Sequence, residues 1–136
     1  MAKVRKVDYF VMKVRDKAGE GARLLKGLSD HDVGLLAFTA FPDAGGAQAD
    51  FVPEDPRAFL AAAKALGWKL HSRKVGFVLS GKDRTGALVK VLDKLARSGI
   101  NVTAMDAVTS GKKRFGAIFW VSPPDVARAA RLLRAS

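Results

Sequence analysis

The chain is written twice. Asp16-Lys17-Ala18-Gly19 returns as Asp83-Arg84-Thr85-Gly86, 67 residues later, and at that spacing Phe10-Val11 falls on Phe77-Val78. Gly21, Leu24, Leu25 and Leu28 fall on Leu88, Val91, Leu92 and Leu95, and Phe59, Ala62, Ala63 and Leu66 fall on Val126, Ala129, Ala130 and Leu133. An apolar pattern shared over almost the whole unit means two copies of one small module. Two repeats are too few for a solenoid, so each copy, or the pair, must close its own core. Half of a 136-residue chain is marginal as an independent fold, which predicts copies packed on each other.

Within copy one, Val7 to Val14 alternates with apolar residues on both sides, the pattern of a central strand. Asp16 is placed to cap a helix whose buried stripe is Gly21, Leu24, Leu25 and Leu28, and the helix should stop near Ser29-Asp30. A strand Val33 to Phe41, a turn at Pro42 to Gly46 and a shorter strand Ala47 to Val52 follow. Asp55-Pro56 reads as a cap and first-turn proline for a helix to Leu66, with Gly67 as its stop. Trp68 to Lys82 then reads as one long strand, closing copy one and opening copy two. Copy two repeats the order: helix Thr85 to Arg97, stop at Gly99, strand Ile100 to Val108, turn Thr109 to Lys112 and strand Arg114 to Val121. A last helix opens at Pro123-Pro124-Asp125 and is expected to run to the end of the chain.

Each copy is thus β-α-β-β-α, with a closing strand only after copy one. That is the split β-α-β order of a ferredoxin-like α+β sandwich, with two helices on one face of an antiparallel sheet. The expected modules are residues 1–72 and 73–136. Arg5-Lys6-Val7 echoes Arg73-Lys74-Val75, which suggests that residues near Ala2 to Lys6 fill the vacant last-strand place of copy two; the alternative is a frayed basic tail.

The formal charge of +11 favours anionic partners in general without choosing among them. With no cysteine, disulfides, thiolate metal sites and a cysteine nucleophile are excluded. No apolar run approaches the roughly 20 residues that span a bilayer, and the N-terminus lacks the apolar core of a signal peptide, so a cytoplasmic protein away from the membrane is expected. His31 and His71 have no spacing partner and no nucleophile elbow is present, so no catalytic residue, metal site or cofactor is expected.

The segment with most chemistry is Lys82-Asp83-Arg84-Thr85-Gly86-Ala87-Leu88, which follows a strand and opens a helix. Gly86 permits close approach of a ligand, and N–H groups around Thr85 to Leu88 at the positive end of a helix favour a carboxylate or phosphate. Asn101, in Ser98-Gly99-Ile100-Asn101-Val102, offers both an acceptor and donors. Together they suit a zwitterion, with its carboxylate on the helix end and its ammonium on Asn101 or Asp83. The competing reading of Asp-x-x-Gly is a plain cap and turn.

Asp83 to Leu88, the stripe Val91-Leu92-Leu95 and Gly99-Ile100-Asn101-Val102 together resemble the opening half of an ACT domain. The resemblance implies a β-α-β-β-α-β module that binds amino acids in a regulatory, non-catalytic role. Its ligands sit where one module's strand-to-helix loop meets the second strand of a neighbouring module. Carried over, the binding residues are Asp83, Arg84, Thr85, Gly86 and Ala87 of the loop with Asn101 of the strand, and Asp16, Lys17, Ala18 and Gly19 in the matching loop. Gly34 stands where copy two has Asn101, which implies an unequal pair with at most one good site per chain. Open sheet edges predict a homodimer.

The rival reading is an RNA-recognition motif, which shares the element order. Lys113, Phe115, Gly116, Ile118 and Trp120 fit its basic, glycine and aromatic octamer, whereas Arg114 and Ala117 depart from it. Nucleic acid is therefore kept as the alternative partner and not favoured.

Overall fold

The structure is a computed structural model that describes residues 2–136; Met1, where the expected first module begins, lies outside the described residues. In chain order the elements are β1 (Lys3–Val14), α1 (Glu20–Asp30), β2 (Leu35–Asp43), β3 (Gly46–Pro53), α2 (Pro56–Ala65), β4 (Ser72–Lys82), α3 (Val89–Arg97), β5 (Val102–Thr109), β6 (Arg114–Val121), a 3-10 turn at Pro123–Asp125 and α4 (Val126–Leu132). All the recorded strand pairs are antiparallel. The architecture is α+β, as the ferredoxin-like pattern requires.

The chain divides into two compact units. One is the continuous stretch Asp8–Lys74; the other is Val75–Ser136 together with the N-terminal residues through Val7. In the first, the strands run in the order β2-β3-β1, with Phe10 opposite Phe51 and Phe38 opposite Phe51 on its other side. Its core is built on Phe10, Leu24, Leu28, Phe51 and Phe59. The Phe10 and Phe59 rings stack at 4.9 Å, and Trp68 lies 5.6 Å from Phe51, so aromatic area dominates this small interior. Asp55 caps α2 as expected, its Oδ1 accepting the Arg57 N–H at 2.9 Å.

In the second unit the order is β4-β6-β5, with Phe77 opposite Phe119 and the two rings stacked at 5.1 Å. Phe77, Leu79, Leu95, Phe119 and Ala129 form its core, and Val4 of β1 is buried among them. Ser136 adds a short bridge: its N–H donates to the Val4 carbonyl at 3.1 Å and its carbonyl accepts the Lys6 N–H at 3.1 Å.

The backbone carries the repeat as clearly as the side chains do. Left-handed residues recur at the repeat spacing: Gly19 and Gly86 at φ 89° and 77°, Asp32 and Gly99 at 56° and 71°, Gly67 and Arg134 at 72° and 52°. At the first of these turns both copies use glycine; at the two helix stops glycine in one copy is matched by a side-chain-bearing residue in the other.

Four local expectations need correction. Trp68 to His71 is not strand: the Trp68 N–H closes α2 on the Ala63 carbonyl, which sets the indole into the aromatic core, and β4 begins only at Ser72. Asp16 does not cap α1; Gly19 holds the cap position in the left-handed region with no side-chain bond. The third helix starts at Val89 and not Thr85, because Thr85 to Leu88 forms turns closed by Ala87 N–H to the Arg84 carbonyl and Val89 N–H to the Gly86 carbonyl, both at 3.0 Å. The final helix ends at Leu132, where Arg134 at positive φ stops it.

Candidate functional site

The loop Lys82 to Val89 holds most of the residues expected to bind a ligand. It leaves β4 with the Asp83 N–H bonded to the Lys113 carbonyl at 2.7 Å, so the β6 turn fixes its start. Gly86 at φ 77° then turns it into α3, a conformation that a side chain would strain. Residues Asp83, Arg84, Thr85 and Gly86 are exposed, and Ala87 and Leu88 half-buried.

Two cavities, each of about 330 Å³, border this loop. One lies toward the end of β5 and is lined by Asp83, Arg84, Gly86, Ala87, Leu88, Val89, Leu92, Ala107, Val108, Thr109 and Phe115. Its walls are mostly apolar, and Val89 and Val108 stand 64% and 68% exposed at its rim. Charge at the mouth with an apolar wall behind it suits a small amphiphilic ligand. The other cavity lies on the β4 side and is lined by Ala2, Lys3, Ser80, Gly81, Lys82, Arg84, Ala87, Arg114 and Phe115. Arg84, Ala87 and Phe115 serve both.

Of the expected binding residues, Asp83, Arg84, Gly86 and Ala87 are thus brought together, while Thr85 sits in the turn off both walls. Asn101 is exposed just before β5, whereas the first cavity meets that strand at Ala107 to Thr109. At ~3.3 Å per residue the two places are about 20 Å apart along the strand, so this unit does not bring Asn101 to its own loop. The N–H donors expected free around the turn are in part used: those of Ala87 and Val89 close the turn itself.

The matching loop in the Asp8–Lys74 unit borders a smaller cavity of about 190 Å³ that includes Arg15, Asp16, Lys17 and Glu20 with Phe38 and Phe41 from β2; Ala18 and Gly19 do not line it. Here Glu20, at the position of Ala87, turns a carboxylate inward. Its side chain is only 11% exposed, it accepts the Arg15 N–H at 3.3 Å, and Arg23 grips it at 2.8 and 3.1 Å. The Arg23 hydrogen bond does most to hold the carboxyl at about 2, below its ordinary 4.5, against the opposing effect of burial; the Arg15 N–H and the charges of Arg23 and Lys17 add to it. A second carboxylate, that of Glu54, covers Gly34: a Cβ there would lie 2.7 Å from Glu54 Oε2. Glu20, Lys3 and Val108 were not singled out by motif reasoning, and Arg114 only as a departure from the RNA-recognition octamer. The signal for Glu20 was present, as the mismatch with Ala87 in the aligned repeat.

Elsewhere in this unit Asp50 is buried beneath Gln48 Nε2 at 2.9 Å and Thr39 Oγ1 at 3.4 Å, and burial raises its carboxyl pKa. Burial, with the Asp50 charge, also pushes the Tyr9 phenol up to about 12. Among the described residues no cluster of three or more metal-ligating side chains occurs, and no helix is long and apolar enough to cross a membrane. The aromatics of the RNA-recognition reading, Phe115 and Trp120, are both buried, whereas base stacking uses exposed rings.

Residues 77–135 match the ACT domain. The matched segment takes in β4 from Phe77, the loop from Lys82 to Val89, and Asn101. Protein BT0572 from Bacteroides thetaiotaomicron superposes with a TM-score of 0.75 at 20% identity, over 98% of this chain and 88% of that one. The ligand-free regulatory subunit of aspartate kinase from Thermus thermophilus gives 0.64 at 14% identity, over 98% and 94%. The regulatory subunit of aspartate kinase from Thermus flavus gives 0.56 at 15%, with the same coverage. At these identities the likeness is one of fold. No curated protein matches the chain in sequence.

Proposed function

We propose that this chain is a regulatory, non-catalytic protein that binds a small ligand, an amino acid, through two ACT-like modules, residues 1–72 and 73–136, with Lys3–Val7 serving as the last strand of the second. The observation that carries the reading is the cavity under the Asp83–Val89 loop, which lies inside the segment that matches the ACT domain. Arg84 supplies the cation for a carboxylate and Asp83 the anion for an ammonium, while Leu92 and Val108 offer an apolar wall to a side chain. The names of the Thermus structures, regulatory subunits of a kinase, support a role in control rather than turnover.

Asn101 stands about 20 Å from its own loop, so in this reading it serves the loop of a neighbouring module, and a homodimer supplies that neighbour. The exposed Val89 and Val108 rim suits burial against such a partner. The setting is the cytoplasm, where amino-acid pools are sensed.

A thermal-shift screen of the amino acids beside a short RNA pool tests the reading. A ligand at 100 times its Kd adds about 2.7 kcal/mol of stability. A shift with one or a few amino acids supports it; a shift with RNA alone overturns it. Light scattering that gives a monomer mass across micromolar concentrations removes the dimer.

A further inference from the structure

The cavity on the β4 side of the loop has four cationic side chains on its wall, Lys3, Lys82, Arg84 and Arg114, and no carboxylate. None of the four takes part in a recorded ion pair among the described residues. Gathering like charges around one concavity with no counter-charge is unfavourable, and the most direct relief is a bound anion.

The other copy gives an independent observation. At the repeat spacing Arg15 corresponds to Lys82, Lys17 to Arg84 and Glu20 to Ala87. In that copy a carboxylate of the chain itself fills the place: Glu20 lies buried beside Lys17, paired with Arg23 and accepting the Arg15 backbone N–H. Copy two keeps a cation at the Arg15 and Lys17 places, adds Lys3 and Arg114, and has the methyl of Ala87 where copy one has the carboxylate. On the β4 side of the loop, the place that copy one fills with Glu20 therefore has no carboxylate in copy two.

The geometry points to a second ligand site here, for a diffusible small anion carrying two or more negative charges, a phosphate ester or a dicarboxylate. Four cations and this volume exceed what a single carboxylate needs, and both guanidinium groups can take an oxyanion in two-point fashion. The site does not depend on the amino-acid reading, since Lys3 and Arg114 line only this cavity, and Leu92 and Val108 only the other. Because Arg84 borders both, occupancy of one site must alter affinity at the other, equally in both directions.

The test is isothermal titration of the full chain, at fixed ionic strength, with pyrophosphate, inorganic phosphate and succinate, using chloride as the monovalent reference. One dianion per chain is expected, and the tighter of pyrophosphate and succinate names the headgroup. The double variant Lys3→Gln/Arg114→Gln, whose residues are exposed and so leave the fold intact, should weaken binding at least ten-fold. Ala87→Glu, which installs the other copy's internal carboxylate, should abolish it. Failure of every dianion to bind better than chloride, or an unchanged Kd in the double variant, overturns the proposal. The amino-acid thermal shift, measured in the same double variant, should stay as in the parent, so that either reading can fall without the other.

Discussion

The two copies differ most where they would be expected to agree, at the turn between first strand and first helix. Both pass a left-handed glycine, Gly19 or Gly86, at the same place in the repeat. Beyond it, copy one enters its helix directly and folds Glu20 back onto the loop, while copy two stays in turns through Leu88 and leaves Ala87 facing open cavities. Copy one also covers Gly34 with Glu54, at the position where copy two exposes Asn101. Carboxylates of the chain thus stand at both places where copy two presents neutral side chains. The same order of strands thus carries an internal carboxylate at this loop in one copy and none in the other, through a handful of side chains.

The largest effect should come from the N-terminal strand. Val4 is buried in the core of the Val75–Ser136 unit. Val4→Asp places an unpaired carboxylate there and should cost about 3 kcal/mol or more by chemical denaturation. A cost below about 0.5 kcal/mol would make the first residues the frayed tail of the alternative reading. Next in size, Asn101→Ala should weaken binding of whichever amino acid raises the melting temperature about ten-fold by titration calorimetry, with the melting temperature of the free protein unchanged. Gly34→Ala should leave affinity as it was, since an added methyl there meets only the mobile end of Glu54. Equal losses in both variants would dissolve the asymmetry between copies.

A smaller effect belongs to Arg134, which holds φ 52° at the stop of α4 where the other copy uses Gly67. Arg134→Gly removes side-chain strain at a left-handed position and should stabilise by about 0.5–1 kcal/mol, read from the urea midpoint. The smallest effect is one of pH. Glu20 is held at about 2 in the folded state, below its ordinary 4.5, so its contribution is complete above the ordinary value and lost only as pH falls through about 2. The melting-temperature difference between the parent and Glu20→Ala should therefore be constant from pH 7 to 5 and vanish only in strong acid. A difference already lost at pH 4 would mean that the carboxylate is not held as described.

The repeat, the α+β order and most element bounds were legible in the sequence, because apolar spacing at 2 and 3.6 residues is local information. Asp55 and Pro56 were read correctly because a cap and a first-turn proline act within one turn. The loop was half legible. Its glycine announced the left-handed turn, but the turn bonds at Ala87 and Val89 that delay α3 depend on no single residue type. Trp68 was misplaced in a strand because an aromatic pulled into a core gives no periodic signal. The basic cavity was not legible, since Lys3, Lys82 and Arg114 lie far apart in sequence and meet only through the fold.

Val4 has a consequence for the order of events in folding. The unit it completes is interrupted in sequence by all of Asp8–Lys74, so Val4 cannot join that core until the long insert has been drawn closed. The entropy of closure rises with the logarithm of the span, and distant contacts of this kind slow folding. The insert is itself a contiguous unit whose two ends meet, Arg73 Nη2 lying 2.7 Å from Asp8 Oδ2. Once it folds, the distance that Val4 must bridge shrinks to a few residues. The inner unit therefore acts as a clasp for the outer one: weakening its core at Phe51 should slow refolding of the whole chain, whereas Val4→Ala should chiefly hasten unfolding.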